Sequence, residues 1–420
     1  VEFKIPFSSL NFPALKEQKW TLMLSRKLYN KGTEARYMNY KKIDGAGCII
    51  CQSDEFYTLK DVKKKNKKRL IPSFTANSIT ERNNDGNMNE EPIDSEFTLG
   101  GEYEFDGNNF EFTLNPDFSQ VEADQSKIDV NQTTALRFEE RRIFFNEGKD
   151  FLSSDLAAVY TRSINDPEYA LKLYNRGEKH SYYFLDAEDN ATPIIVPGYQ
   201  RSYSGLLGKS HANIFSYNYN LENGQNIGFL ATNRDYEDGG KNSLYSFRGK
   251  FLFNDIYSTK FELVSTTMDE PISDVINTSN VSKEHTYNLD GESFDGYGGV
   301  FGLARDTENF YTRYYFATKS PNYRSDLGFT TENDWTKHSL EQKFKYRSKG
   351  LIRSGNISLR KEIMTDYDDV VLDQETVISA RAELANQLNI NMSWDNSHKI
   401  TFEGYSFKNV KDYNIGVSYS

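Results

Sequence analysis

Two cysteines are all that the 420-residue chain contains, so no disulfide framework can hold it together. They stand as Cys48-x-x-Cys51. No second pair completes a zinc site, and no β-α-β pattern surrounds the motif as a thioredoxin-like redox centre requires. Two inert strand residues are the reading that remains, with a local disulfide as the alternative. Nowhere do about 18 apolar residues run together, which excludes a transmembrane helix. Basic charge is not in excess either. Lys and Arg number 50 against 61 Asp and Glu, a net −11, whereas a phosphate-binding face needs the opposite sign, so no nucleic-acid partner is expected. The one dense basic run, Lys63 to Arg69, reads as a solvated connector.

Catalytic motifs are equally thin. The five histidines (His180, His211, His285, His338, His398) are scattered and no H-E-x-x-H occurs, so a zinc hydrolase is not indicated. Gly208-Lys209-Ser210 ends like a phosphate loop, but Tyr203 stands where its first glycine belongs. Gly45-Ala46-Gly47 has Ile50 in place of the third glycine of a dinucleotide loop. Asp186, Glu188 and Asn190 are spaced as in a calcium loop, but Ala191 replaces its glycine and Pro197 its closing Glu. No cofactor and no metal are expected.

What the chain has in plenty is aromatic residues, 28 Tyr and 29 Phe. A core does not need that much Tyr, whereas a surface meeting a lipid–water interface does. From about residue 200 the pattern alternates with period two. Phe215, Tyr217, Tyr219 and Leu221 interleave with Ser216, Asn218 and Asn220 before a hairpin turn at Asn223-Gly224. Tyr245, Phe247, Gly249, Phe251 and Phe253 interleave with Ser246, Arg248 and Lys250. His338, Leu340, Gln342, Phe344 and Tyr346 do so with Ser339, Glu341, Lys343 and Lys345, and similar runs cover 257–263, 388–394 and 413–419.

Alternation alone fits a soluble sandwich as well as a membrane barrel. Two features favour the barrel. Short turns expected at 222–225, 254–255, 306–309, 347–350 and 395–398 alternate with longer loops at 234–243, 267–296, 319–336 and 361–375, as in an up-and-down barrel with one tight rim. Aromatics also bracket the apolar stripes, as interfacial girdles do. With strands at 69–80, 96–105 and 109–115, about 16 strands are expected, enough for an aqueous lumen. The fold class expected is therefore all-β: an antiparallel up-and-down transmembrane β-barrel over 69–420, with outer-membrane lipid as its surroundings. Residues 1–60 read as the end of a β-sandwich, with 61–68 a basic linker. The chain opens at Val1 inside a strand-like run and ends at Ser420 without a closing aromatic, so further sequence is expected at both ends.

One stretch resembles a known family. Asn115-Pro116-Asp117-Phe118-Ser119-Gln120-Val121-Glu122-Ala123-Asp124, and Phe138-Glu139-Glu140-Arg141-Arg142-Ile143-Phe144-Phe145-Asn146-Glu147-Gly148-Lys149-Asp150-Phe151 after it, are similar to the signature of a large group in Bacteroidota and other Gram-negatives. Its members carry a carbohydrate-binding family 9-like module followed by a barrel domain of unknown function. Val1 to Leu10 resembles the end of that module, and Ala158–Ile164 and Thr232–Tyr236 also fit the pattern. Gln125 stands where a proline is common, and Glu140-Arg141-Arg142 where Glu-Lys-Arg is usual. The resemblance implies an outer-membrane location and a link to glycans; a small solute passing the lumen is the other partner expected.

The same stretch gathers the candidate functional residues: Asp117, Glu122, Asp124, Glu139, Glu140, Arg141, Arg142, Glu147 and Asp150. Their acid–Arg pairs suit a segment folded into the lumen as a lining or plug. The alternative is a membrane-anchored glycoside hydrolase, which needs two carboxylates facing one sugar. Lys250, Lys260, Glu262, Lys343 and Lys345 fall on the lumen phase of their strands and are expected to set selectivity.

Overall fold

The computed structural model describes residues 4–7, 12, 16–22, 25–30, 33–38, 57–62, 68–78, 80–82, 88–90, 94–116 and 133–419, the last range apart from 222–223, 255, 284, 349, 386–387 and 401–403. Cys48, Cys51, Asp117, Glu122 and Asp124 lie outside these residues.

The period-two segments become sixteen antiparallel strands in one sheet, each paired with the next in sequence. They are β1 (Lys68–Asn77), β2 (Asp94–Phe105), β3 (Asn108–Leu114), β4 (Pro167–Arg176), β5 (His180–Asp189), β6 (Ser210–Asn220), β7 (Asn226–Tyr236) and β8 (Lys241–Phe253), followed by β9 (Tyr257–Asp269), β10 (Ser293–Asp306), β11 (Phe310–Lys319), β12 (Trp335–Arg347), β13 (Ile352–Thr365), β14 (Val371–Leu384), β15 (Leu388–Ile400) and β16 (Ser406–Tyr419). Most are ten residues or longer, the length a tilted strand needs to cross a bilayer. Register follows from the alternation, because a one-residue slip would exchange the two faces. Between β8 and β9, Phe247 opposes Leu263 on one face and Ser246 opposes Val264 on the other.

The two faces differ sharply. Phe229, Phe247, Leu263, Phe301, Leu340, Phe344, Ile357 and Leu359 all point outward and are exposed. Soluble monomers rarely leave so broad an apolar surface to water, so this face is dressed for lipid. The other face is buried over β4 to β11, where it packs on the connection between β3 and β4.

That face is concave. Phe151 of the connection stacks near Tyr174 of β4 and Tyr183 of β5, while its carbonyl accepts from Ser216 of β6 and Arg248 of β8. Laid flat, β4 to β8 would span about 19 Å at the usual strand spacing. On a larger scale, Gln200, in the connection between β5 and β6, donates to the Ile400 carbonyl at the end of β15, 2.8 Å away. Nine strand spacings, about 43 Å in a flat sheet, separate β6 from β15, so the sheet curls on itself. Among the described residues, β1 and β16 are its two edges and do not pair with each other.

The loop rhythm departs from expectation. The connections 190–209, 270–292 and 320–334 are long, but 237–240 and 366–370 on the same rim are as short as the turns on the other. The expected turn at 395–398 is also absent. Those residues lie inside β15, because Trp394 and the residues after it pair continuously with β14. Asn-Ser at 396–397 is polar, but on a lumen-phase strand polar residues do not end the ladder. Between β6 and β7 the connection is short as expected: the Leu221 amide donates to the Gln225 carbonyl at 2.9 Å, and Gly224 stands at φ +73°. Before the sheet, Glu17–Trp20 pairs with Tyr57–Lys60 and Ser25–Asn30 with Thr33–Met38, two separate two-stranded ribbons.

Candidate functional site

In the connection from β3 to β4, residues 133–166 form the longest strand-free stretch among the described residues, and they lie against the concave face. It holds three single turns of helix, Ile143–Asn146, Lys149–Leu152 and Thr161–Ser163. These turn its polar backbone back on itself, so that few groups are left unmet in a crowded interior. Phe145, Phe151, Leu152, Leu156, Ala158 and Ile164 then fill the space between the strand side chains.

Its first anchor is internal. Glu140 and Arg142 form a two-pronged pair, Nε to Oε1 at 2.8 Å and Nη2 to Oε2 at 2.7 Å, with both side chains buried. Arg142 also donates to the carbonyls of Ile164 and Thr161, and the Thr161 hydroxyl donates to Glu140 at 2.8 Å. Burial alone would raise the Glu140 carboxyl, but the Arg142 and Thr161 hydrogen bonds outweigh it and hold the group below its ordinary value. The clasp closes 140–142 onto 161–164 and leaves neither Glu140 oxygen free.

A second anchor fixes the middle of the segment to the wall. Lys172 of β4, fully buried, pairs with Glu111 of β3 at 2.8 Å and donates to the carbonyls of Phe144 and Glu147. Tyr174 donates to Glu111 and to Glu147. Gly148 turns the chain between the first two helical turns at φ +80° and lies beneath Tyr183, whose ring would be 2.9 Å from an added Cβ. Gly148→Ala combines left-handed strain with that clash. It is expected to lower stability by about 1–2 kcal/mol, read as a lower midpoint in urea unfolding of the refolded protein.

The third anchor is a latch on β8 and β9. Arg248 donates to the carbonyls of Phe151 (2.9 Å) and Ser153, and to Ser216 at 3.0 Å. Glu262, buried, accepts from the Ser154 hydroxyl and the Asp155 amide, both at 2.7 Å, and from Ser246 at 2.9 Å. Lys260 pairs with Asp155 at 2.6 Å. The wall thus grips 151–155 largely through backbone groups.

Beside the latch, towards the short-turn rim, lies a polar cavity of about 500 Å³. Arg176, Arg248, Lys250 and Lys260 line it, against Asp150, Asp155 and Glu262. Asp150 is held by Arg176, whose fork meets both carboxylate oxygens. Those hydrogen bonds depress the Asp150 carboxyl against the opposing effect of burial.

Of the candidates named from sequence, Glu140 and Arg142 form the clasp, Glu147 joins the Lys172 cluster and Asp150 lines the cavity. Glu139 is exposed, with its carbonyl accepting from Arg162, and Arg141 is half-buried. Glu262 and Lys260 face inward as expected, and Lys343 and Lys345 are engaged with Glu341 and Asp306. Sequence reasoning missed Lys172, Arg234 and Arg248. Each is a charged residue on the inward phase of its strand, and Arg234 is fully buried with one donor on the Ser163 carbonyl.

An up-and-down sheet of this many strands, apolar outside and polar or filled within, has one known setting. The architecture is that of an outer-membrane β-barrel. No family model matches the chain, and no curated protein does either. Among solved structures, the crystal structure of Acinetobacter baumannii OccAB3 aligns over 81% of this chain and 80% of that one, at 9% identity and a TM-score of 0.37. That of Pseudomonas aeruginosa OccK10 (OpdN) aligns over 84% and 97%, at 8% and 0.34. The fold rests on the strand pairing itself.

Proposed function

We propose that the chain is a gated outer-membrane channel for small polar solutes, non-enzymatic, in which segment 133–166 is the plug. The observation that carries this reading is the latch on β8 and β9, which grips the segment next to a polar cavity. A plug must be held firmly enough to occlude and loosely enough to release, and backbone-directed hydrogen bonds to two wall residues provide both. Of the residues named as plug candidates, four have structural partners in that picture: Glu140 and Arg142 with each other, Glu147 with Tyr174, and Asp150 with Arg176. The glycoside hydrolase alternative needs two free carboxylates across one sugar, and Glu140 is fully engaged. Residues 1–60 are read as the end of a periplasmic module, of the carbohydrate-binding family 9-like type suggested by resemblance, that positions a glycan or partner near the channel.

Conductance of the refolded protein in a planar bilayer tests the channel. Brief, infrequent openings are the expected result; a membrane that stays silent under all voltages, with folded protein inserted, would count against it. The cavity lining carries four cationic and three acidic side chains, and Lys250 sits directly across from Lys260. Openings are therefore expected to favour anions, and Lys250→Glu to reverse that preference in a salt-gradient reversal potential.

A further inference from the structure

A second polar centre lies away from the plug, at the neck of the long loop 270–292. The loop is closed there by the Glu270 amide donating to the Glu292 carbonyl at 2.9 Å, and by Ile272 and Ser273 pairing with Asp290 and Leu289. Glu270, Asp290 and Glu292 each bring a carboxylate oxygen to this neck, and those oxygens lie within 4.8 Å of one another. Oxygens about 2.4 Å from a single calcium-type ion can cover that span.

Three carboxylates alone would be an unremarkable acidic cluster. Here one of them is buried. The Glu270 side chain is only 1% exposed, and while Oε1 accepts from Arg324 at 2.6 Å, Oε2 is buried with no hydrogen-bond partner. Leaving such an oxygen unmet costs free energy on the order of 1–3 kcal/mol, so its retention calls for a ligand. Arg324 does not balance the charge, because its Nε is already engaged by Asp326 at 2.9 Å. Four carboxylates therefore share one guanidinium and the imidazole of His285, whose Nδ1 lies 3.3 Å from Glu292. Thr286 orients the other two acids: its hydroxyl donates to Asp290 at 2.8 Å and its amide to Glu292 at 3.0 Å. A cavity of about 20 Å³ adjoins, lined by Glu270, His285 and Thr286, which is room for one water-sized occupant.

We propose that Glu270, Asp290 and Glu292 bind a divalent, oxygen-seeking cation of the calcium type that pins the neck of loop 270–292. Carboxylates of both loop ends would then share one ion, and Thr286 would hold two of them in place. Asp290 is exposed, so Asp290→Asn leaves the buried pair with Arg324 intact and the protein folded.

The test is isothermal calorimetry with calcium chloride on the refolded, chelator-stripped full chain in detergent, with magnesium chloride in parallel. One saturable calcium site is expected, weakened at least tenfold in Asp290→Asn and in Glu292→Gln and unchanged in Asp238→Asn, an acid on a different loop. Calcium is also expected to slow tryptic cleavage after Lys283, within the pinned loop. Absence of saturable heat, or heat equal in all variants, would overturn the proposal and leave the acids as partners of Arg324, Thr286 and His285. Equal loss in Asp238→Asn would equally overturn it, since binding would then follow surface charge and not this neck.

Discussion

Arg142→Ala is expected to lower the stability of the plug segment by about 3–5 kcal/mol, the loss seen when one partner of a buried ion pair is removed and the other stays behind. Glu140 would be left buried, with the Thr161 hydroxyl still donating to it but no opposing charge. The sheet is held by its own ladders, so the effect should be local. Limited proteolysis is expected to release fragments cut within 133–166 while the barrel keeps its heat-modifiable mobility. Replacing both partners by apolar residues, Glu140→Leu with Arg142→Met, is expected to restore most of the resistance, because no buried charge then remains. If the single and double variants were equally sensitive, the clasp would owe its effect to shape and not to charge. The same pair predicts a pH dependence. The Glu140 carboxyl titrates below its ordinary 4.5 in the folded protein, so its contribution is complete above that value and disappears as pH falls through the lower, folded one. Protease sensitivity of the segment should accordingly appear only in acid.

Arg248→Ala should produce the second large effect, on gating. It removes the charged donor to the Phe151 and Ser153 carbonyls. Hydrogen bonds of a charged group contribute about 1.5–3 kcal/mol, and about 1.4 kcal/mol is tenfold in an equilibrium. Single-channel open probability should therefore rise about tenfold to a hundredfold, with unchanged conductance of the open state. Glu262→Gln should act in the same direction and more weakly, since an amide oxygen can still accept from Ser154 or the Asp155 amide. Unaltered open probability in both variants, with the proteins folded, would mean that 151–155 does not move during conduction and that the latch is structural.

Strand number and register were legible because a half-buried strand writes its two faces into alternate residues. Phe247 and Leu263 outside, Ser246 and Val264 inside, can be paired on paper. Loop lengths were less legible. Trp394 looked like the end of a stripe and Asn396-Ser397 like a turn, yet polar residues on a wet inner face continue a strand as readily as they end one. The acid–Arg character of 138–151 was visible, and the pairing of Glu140 with Arg142, two residues apart, was within reach of inspection. That Lys172 would meet the carbonyls of Phe144 and Glu147, or Arg248 those of Phe151 and Ser153, was not. A carbonyl carries no sequence signature, and the partners lie 25 to 97 residues apart.

By itself, then, the sequence determined an antiparallel sheet of about this size, because a strand with two unlike faces alternates with period two; the aromatics bracketing the apolar stripes turned that sheet towards lipid and away from a soluble sandwich of the same period. Tertiary structure alone decided what fills that sheet. Curvature brings β4 to β11 around one irregular segment, and it sets apart, at the neck of loop 270–292, a carboxylate oxygen without a partner. Both depend on distances across the curled sheet, which a linear pattern does not encode.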